Sequence, residues 1–210
     1  MRITYLFDPL CGWCYGASPA LERLSTLDDV KIELAPTGLF AGGRARPMDA
    51  QFAAYAWRND QQIQRLTGQI FSEAYRANVL NRTGSLFDSA PATLAVIAAG
   101  VTDPVGQIAA LKALQRARYV EGRNNSDIAV VADVLSDAGF PEAAMKIRSP
   151  DEHLLAAYRQ GIATARADMA RFGANGVPAL VVGEGAGRHL LRTNALFTDF
   201  EQLAEDVRCA

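Results

Sequence analysis

The sequence predicts an α/β chain in which a four-stranded mixed sheet is flanked by helices and interrupted by an inserted α-helical domain. Three observations predict it. Near the start, one helical pattern separates two short apolar strands, which gives a parallel β-α-β unit. Near the end, a strand is followed by an antiparallel partner and a closing helix. The long segment between these two parts shows helical periodicity.

The first part of the chain contains a predicted strand over 2–7, a helix over 11–27 and a second strand over 30–35. Both strands contain Ile and Leu in an alternating pattern, and the first also contains Tyr and Phe. The helix carries leucines at helical spacing. Pro19 lies inside it, where it removes a backbone hydrogen bond and should kink the helix.

The middle of the chain is predicted to be helical, because Ala, Gln, Leu and Arg dominate and β-branched runs are short. Gly100, Gly122 and Gly139 each follow an apolar periodic stretch, as expected of residues that end helices. Ser126 or Asp127 is expected to cap the helix that follows them. The predicted helices cover 48–67, 68–80, 91–100, 104–121 and 127–138.

The last part begins with the clearest predicted helix start, with Ser149 as N-cap, Pro150 at the first helical position and Glu152 completing a capping box. This helix should end at Gly173. It is followed by a strand, an antiparallel return strand and a closing helix. These last three elements are predicted over 179–182, 188–192 and 197–207. The two parts of the sheet, 1–40 and 149–210, would form one domain, and 41–148 would form the inserted helical domain.

Composition limits the partners and the compartment. Of the 210 residues, 50% are hydrophobic and 21% are charged, which suffices for a core. The net charge of −2 gives no reason to expect nucleic acid or an anionic membrane. No apolar run is long enough for a membrane helix, and the apolar start is too short for a secretory signal. We therefore expect a cytoplasmic protein that acts on small molecules or proteins, with its oligomeric state open.

The pair Cys11 and Cys14, in the stretch "FDPLCGWCYG", is the strongest chemical signal. In a reducing compartment a CxxC pair is more often catalytic or metal-binding than structural. The start of a helix favours the thiolate form of Cys11, and Cys14 lies one turn further along the same helix. Cys11 is then the nucleophile of thiol-disulfide exchange, and Cys14 resolves the mixed disulfide.

A metal site is disfavoured because the chain offers few further ligands. His153, His189 and Cys209 are scattered and form no spaced pair. His153 falls in the first turn of a capped helix, so it is expected at the surface, and His189 falls in an edge strand. Cys209 is expected to be a free thiol. No metal and no resident cofactor is predicted.

The residues next to the cysteines have two interpretations each. Gly12 and Trp13 carry no charge, so they add no Coulomb stabilisation to a thiolate. Trp13 offers an apolar surface to a substrate or packs under the helical block. Asp8 opposes thiolate formation if it is close to Cys11, or it caps the helix, which is the interpretation that we favour.

The whole pattern resembles the thioredoxin superfamily. The residues that carry the resemblance are the CxxC at a helix start, Pro19 five residues beyond Cys14, and "FGANGVPALVV", which contains Val177 and Pro178. The chain is similar to the DsbA-like branch with an inserted helical domain, and most to its cytoplasmic FrnE-type members. Kappa-class glutathione transferases and 2-hydroxychromene-2-carboxylate isomerases are related.

The resemblance implies a protein-disulfide oxidoreductase or isomerase. Cys11 matches the exposed nucleophile, Cys14 the buried resolving thiol, and Pro178 a cis-proline that faces them. Val177 would offer its backbone to an extended substrate. Protein or small-molecule thiols and disulfides are the implied partners, with glutathione as co-substrate. Gly12-Trp13 differs from the Pro-His pair of strongly oxidising relatives.

Two other functions stay open at this stage: a glutathione-dependent transferase or isomerase, and a non-catalytic redox-sensing or chaperone module. The presence of both cysteines disfavours the first, since those relatives usually have a serine in place of the nucleophile. Arg44 and Arg46 could contact glutathione carboxylates, although a solvated loop is the favoured interpretation. The segment 88–91, "DSAP", could recognise glutathione, although helix capping is favoured.

Overall fold

The computed structural model of the chain describes residues 1–192, 194–197 and 199–209. In chain order its strands are β1 Arg2–Phe7, β2 Lys31–Pro36, β3 Arg46–Pro47, β4 Leu86–Phe87, β5 Ala179–Val182 and β6 His189–Leu190. Its helices are α1 Gly12–Gly16, α2 Ser18–Ser25, α3 Ala50–Thr67, α4 Glu73–Tyr75, α5 Ala90–Thr102, α6 Gln107–Tyr119, α7 Ile128–Asp137, α8 Pro141–Arg148, α9 Glu152–Phe172 and α10 Phe200–Arg208.

The central sheet has the order β2-β1-β5-β6, with β2 parallel to β1 and the other pairs antiparallel. Tyr5 of β1 lies opposite Leu34 on one side and Leu180 on the other. Five of the six β1 residues are buried, because helices cover both faces of the sheet. The predicted mixed sheet is confirmed. Its four strands all come from the segments 1–40 and 149–210, and the domain boundaries drawn there stay a prediction.

The helix predicted over 11–27 is present as two helices, α1 and α2, that meet at Ala17. Pro19 lies in the first turn of α2. Because proline has no N–H, the carbonyl of Tyr15 loses its helical donor. It accepts instead from Ser18 Oγ at 2.8 Å and Gln69 Nε2 at 3.1 Å. The kink therefore places a residue of the middle segment against the helix that carries both cysteines.

Two predictions for the middle segment are wrong. A helix over 68–80 does not form, because Gly68 ends α3 in the left-handed conformation (φ 74°) and only the short α4 and one π-helical turn follow. Gly100 does not end α5, which continues to Thr102. The side-chain amide of Gln107, at the start of α6, packs directly on Gly100. The helix α8 was not predicted.

The start of α9 also differs from the prediction. Its N-cap is Asp151, whose side chain accepts a hydrogen bond from Leu154 N at 2.7 Å. Ser149 ends α8 instead, so a capping box beginning at Ser149 cannot form. The predicted end at Gly173 is confirmed by its left-handed conformation (φ 70°). The predicted cap Asp127 accepts from Ala129 N at the start of α7.

An aromatic cluster lies at the contact between the cysteine-bearing helix and the middle segment. Tyr15 of α1 stacks on Tyr119 of α6 with ring centres 4.7 Å apart, and both contact Phe71 edge-on. Tyr75 lies edge-on to Tyr119 at 5.0 Å. These rings bury a large apolar area and leave little freedom for rearrangement. The cluster therefore fixes the middle segment against one side of the CxxC sequence.

Candidate active site

Cys11 occupies the N-cap position of α1, at the edge of a cavity. Its backbone is extended (φ −82°, ψ 119°), and its side chain is 8% exposed. Its Sγ lies 3.6 Å from the carbonyl oxygen of Val177, to which the thiol donates. The Val177-Pro178 peptide bond is cis, as the resemblance implied. The start of α1 and the residues just before β5 thus lie next to each other at Cys11 Sγ.

Cys14 has a different environment. It is fully buried on the inner face of α1, in front of the sheet. Burial raises the pKa of its thiol well above the usual range, and the neighbouring Cys11 raises it further. Behind it, Tyr5 donates a hydrogen bond to the Cys14 carbonyl at 3.3 Å. Cys14 is therefore kept as a neutral thiol out of contact with solvent, while Cys11 reaches the surface.

Asp8 does not cap α1, so that prediction is wrong. The carboxylate is fully buried and accepts from Leu10 N at 2.9 Å, Ser89 Oγ at 2.7 Å and Phe40 N at 3.3 Å. Burial raises its pKa, and these hydrogen bonds partly oppose that rise. Asp8 connects three segments that are distant in sequence, and it fixes the turn that leads to Cys11.

Trp13 lies between a packed aromatic neighbour and the cavity, and its contact with a substrate stays a prediction. It is half-buried and contacts Phe197 edge-on, with ring centres 5.3 Å apart. The same side chain lines a cavity of about 260 Å³ that opens beside Cys11. Packing on one side and a free face on the other are compatible for a ring of this size.

The cavity is lined mainly by aromatic and aliphatic side chains of the middle segment. Cys11 lines it, and Cys14 does not. On α3, the lining residues with polar side-chain groups are Tyr55, Asn59 and Asp60. The cavity-lining residues are Leu10, Cys11, Gly12, Trp13, Phe40, Phe52, Tyr55, Ala56, Asn59, Asp60, Ile63, Tyr75, Phe87 and Tyr119.

Sequence reasoning missed a buried polar group in this wall. Asp60 is 5% exposed, and its Oδ2 accepts a hydrogen bond from the hydroxyl of Tyr75 at 2.9 Å. Burial raises the pKa of Asp60 to about 7, although the Tyr75 hydrogen bond and the charge of Arg118 lower it. A signal was available: Asp60 falls at helical spacing between Ala53 and Ile63 on the buried face of α3.

Arg118, which lies behind the cavity wall, was missed as well. Its side chain is 1% exposed, and its guanidinium carbon lies 5.3 to 5.7 Å from the ring centres of Tyr75, Phe87 and Tyr119. Such distances are typical of cation–π contacts. Among the described residues, its Nε and Nη1 have no hydrogen-bond partner. The aromatic rings thus surround a buried positive charge.

The remaining candidates are not among the residues that line the cavity beside Cys11. Arg44 and Arg46 are exposed, and Arg46 pairs with Asp49 at 3.4 Å and lies over the ring of Phe52. In the segment 88–91, Asp88 accepts from Ala90 N at the start of α5 at 2.8 Å, which agrees with a capping role.

His153 is exposed, as expected, and His189 and Cys209 are exposed as well. Within residues 1–192, 194–197 and 199–209, no group of three or more His, Cys, Asp and Glu residues could hold a metal ion. In the same ranges, no helix is long and apolar enough to cross a membrane.

Comparison with known proteins identifies the family. The model of the DSBA-like thioredoxin domain matches residues 2–207, from the first strand to the closing helix. The chain belongs to this family. The comparison with curated proteins gives no match.

Solved structures of DSBA-like proteins agree over the whole chain. Two are of the cytosolic disulfide reductase DsbM from Pseudomonas aeruginosa. One is 31% identical over 100% of both chains with a TM-score of 0.87. The other, with GSH, is 32% identical over 100% of this chain and 98% of that chain, with a TM-score of 0.84. A suggested disulfide isomerase from Nitrosomonas europaea is 25% identical over 98% and 96% of the two chains, with a TM-score of 0.78.

These findings confirm the resemblance drawn from the motifs. The chain has a thioredoxin-like fold with inserted helices, and it is a DsbA-like thiol-disulfide oxidoreductase, an enzyme, with Cys11 and Cys14 close together.

Proposed function

We propose that this DSBA-like enzyme reduces disulfides, with Cys11 as the nucleophile and Cys14 as the resolving thiol. The observation that carries the proposal is the difference between the two sulfurs. Cys11 is 8% exposed and lines the cavity, whereas Cys14 is fully buried, and burial raises the pKa of its thiol. A substrate can therefore reach the first cysteine and not the second, as sequential attack and resolution require.

The exchange runs in two steps. The Cys11 thiolate attacks one sulfur of the substrate disulfide, so that bond breaks, a mixed disulfide forms and the first thiol leaves. Cys14 gives up its proton and attacks Cys11 Sγ, which releases the second thiol and leaves a Cys11-Cys14 disulfide. The substrate gains two electrons and two protons from the dithiol. Two molecules of a thiol such as glutathione, acting as co-substrate, return the enzyme to its dithiol form.

Val177 and Trp13 are the proposed substrate-contacting residues. The Val177 carbonyl lies 3.6 Å from Cys11 Sγ, immediately before Pro178, so its backbone is placed to pair with an extended segment next to the reacting sulfur. Trp13 offers a half-buried apolar face at the same edge of the cavity. Small-molecule and protein disulfides both fit such a site.

The direction of reaction, the compartment and the thiol are supported by the similar structures. DsbM is described as a cytosolic disulfide reductase, and one of its structures is with GSH. The uncharged pair Gly12-Trp13 agrees with this direction, because it supplies no positive charge that would favour the reduced form of a strong oxidant. We extend to this chain reduction of disulfides in the cytoplasm with glutathione.

The test compares the wild type with Cys11→Ser and Cys14→Ala, with Cys209→Ser as the matched control. We expect glutathione-dependent reduction of hydroxyethyl disulfide to vanish in Cys11→Ser and to persist in Cys209→Ser. Cys14→Ala should accumulate a mixed disulfide at Cys11, visible by mass spectrometry. The redox potential should lie near thioredoxin's, about −270 mV, rather than near about −120 mV. Equal activity of wild type and Cys11→Ser would refute the proposal.

A glutathione-dependent transferase is the second candidate, and the apolar cavity beside Cys11 is the observation that favours it. A small electrophile could occupy that space. If conjugation of an aromatic electrophile to glutathione is fast and survives Cys14→Ala, this second function is correct. If conjugation is absent while disulfide reduction requires both cysteines, the reductase proposal stands.

A further inference from the structure

The exchange steps above do not use Asp60, although its carboxyl group borders the same cavity as Cys11. Asp60 projects from α3 of the inserted segment and is 5% exposed. Tyr75 occupies one carboxyl oxygen, Oδ2. Among the described residues, no hydrogen bond is made to Oδ1. One oxygen is therefore held by Tyr75, and the other has no hydrogen-bond partner in a residue that lines the cavity.

The carboxyl group lies directly against the backbone between the two cysteines. A Cβ atom on Gly12 would be 2.5 Å from Asp60 Oδ1 and 3.2 Å from Ile63 Cδ1. A side chain at position 12 would force the carboxyl group of Asp60 to move. Glycine thus allows a contact between the CxxC sequence and Asp60 that a side chain would block.

Four titratable or charged residues face Asp60 from the elements packed against it. Tyr75 of α4 donates to it, Arg118 and Tyr119 of α6 lie behind it, and Cys11 lies at the start of α1. Burial raises the pKa of Asp60 to about 7, against the opposing effects of Tyr75 and Arg118. Near neutral pH a substantial share of the molecules carries a protonated Asp60.

We propose that Asp60 is a general acid that protonates the sulfur leaving a substrate disulfide when Cys11 attacks. The inference rests on the proposed disulfide reduction. As the Cys11 sulfur bonds to one substrate sulfur, the substrate's S–S bond breaks and its electron pair goes to the leaving sulfur. That sulfur takes the proton from Asp60 Oδ1 and departs as a thiol. The carboxylate then regains a proton from solvent through the open cavity.

This role makes the benefit of Asp60 depend on the leaving group. An alkyl thiol has a pKa near 8.5, so its anion is a poor leaving group that gains from a proton. A thiopyridine leaves readily without one. An acid at Asp60 should therefore accelerate attack on alkyl disulfides and have little effect on pyridyl disulfides. A merely structural residue, or one that only changes the ionisation of Cys11, would alter both reactions alike.

The test uses the reduced full-length chain with Cys209→Ser, and two uncharged probes, hydroxyethyl disulfide and 2,2′-dipyridyl disulfide. Asp60→Asn is compared with Glu73→Gln, which removes an exposed carboxylate two residues from Tyr75. At slightly acidic pH we expect Asp60→Asn to slow the alkyl reaction about tenfold, a modest share of what general acids usually contribute. The pyridyl reaction should change less than about twofold, and Glu73→Gln should affect neither. Equal slowing of both probes in Asp60→Asn would overturn the inference.

The pH dependence gives a second, independent arm. In the wild type, the ratio of alkyl to pyridyl rate constants should fall about tenfold as pH rises through about 7, because the acid form of Asp60 is lost. The Cys11 ionisation cancels in that ratio. Tyr75→Phe removes a hydrogen bond that lowers the pKa of Asp60, so the fall should move to higher pH. A ratio independent of pH would overturn the inference, even if Asp60→Asn did not fold.

The two proposals fail differently. If both probe disulfides react equally fast with the wild type and with Cys11→Ser, disulfide reduction itself is refuted. If both reactions need Cys11 and the ratio of alkyl to pyridyl rate constants is the same at acidic and alkaline pH, only the role of Asp60 is refuted.

Discussion

Two walls meet at Cys11, and they are built differently. The wall from the thioredoxin-like part presents, beside the apolar side chain of Trp13, a backbone group: the Val177 carbonyl lies 3.6 Å from the sulfur, next to the cis bond to Pro178. The wall from the inserted helices presents side chains, among them the buried and titratable Asp60 and Tyr75. Backbone groups are present whatever the sequence, so the first wall supplies chemistry common to the fold. The second wall depends on particular residues, which makes it the wall where this chain's selectivity can arise.

The two walls also differ in the free energy that it costs to bury their polar groups. The Val177 carbonyl, two residues before β5, accepts from the Cys11 thiol. A buried carboxyl and a buried guanidinium must instead be compensated by neighbours, here Tyr75 and three aromatic rings around Arg118. The second wall is therefore the more sensitive to pH and substitution, and the following four predictions test that difference.

The largest expected effect is the pH dependence of stability that Asp60 introduces. Its pKa rises from 3.8 to about 7 in the folded chain. Because the folded pKa exceeds the unfolded one, the folded state binds the proton more tightly. The contribution of the neutral carboxyl group to the free energy of unfolding is thus fully present below about pH 4. It is lost as pH rises towards about 7, and the loss is on the order of 4 kcal/mol.

Urea unfolding of wild type and Asp60→Asn across this range measures the effect. The free energy of unfolding of the wild type should fall with rising pH relative to that of the variant. A constant difference between the two would show that Asp60 is not a buried acid with a raised pKa.

Asp8→Ala should give the next largest effect, because Asp8 joins the two walls. The substitution leaves the buried donors Leu10 N and Ser89 Oγ, and the half-buried Phe40 N, without their acceptor. We expect a loss of about 3 kcal/mol in unfolding free energy. Asp88→Ala is the matched control, since this half-buried carboxylate accepts from two backbone N–H groups, and it should cost about 1 kcal/mol. Similar losses in both variants would contradict the special position of Asp8.

Tyr119→Phe should weaken the contact of the inserted helices with the turn before Cys11. The hydroxyl donates to the Leu10 carbonyl at 2.8 Å, and both groups are buried, so the variant leaves an acceptor unpaired. We expect a loss of about 2 kcal/mol in chemical denaturation. Tyr55→Phe removes a hydroxyl from an exposed side chain of the same segment and should change stability by less than about 0.5 kcal/mol. If Tyr119→Phe leaves the free energy of unfolding unchanged, this hydrogen bond does not support the turn.

Val177→Ala should have the smallest effect, because the first wall acts through backbone. Removing two methyl groups from a half-buried side chain leaves its carbonyl beside Cys11. The rate of disulfide reduction should change less than about threefold, and thermal unfolding should report a loss of about 1 kcal/mol. If the rate falls as far as the alkyl reaction of Asp60→Asn, the distinction between the two walls is wrong.

Much of the fold was predictable from local patterns. The strands β1, β2 and β5, the helices α3 and α7, and the kink at Pro19 follow from alternation, helical spacing and the missing N–H of proline. The predicted site residues Cys11, Cys14, Trp13, Val177 and Pro178 do lie together, and their catalytic roles remain proposals. The failures occur where a neighbour decides the outcome: Gly100 stays helical next to Gln107, and Ser149, the predicted N-cap of α9, is the C-cap of α8.

By itself the sequence determined the reactive pair, its place at a helix start and the order of elements, because each depends on residues close along the chain. Only the tertiary structure decided which sulfur meets the cavity, why Gly12 stands between the cysteines, and where Asp60 lies. Those features depend on the packing of α3 against α1, two helices whose contacting residues are about fifty positions apart in the sequence. Burial and close approach are properties of that packing, and a single sequence carries no direct record of them.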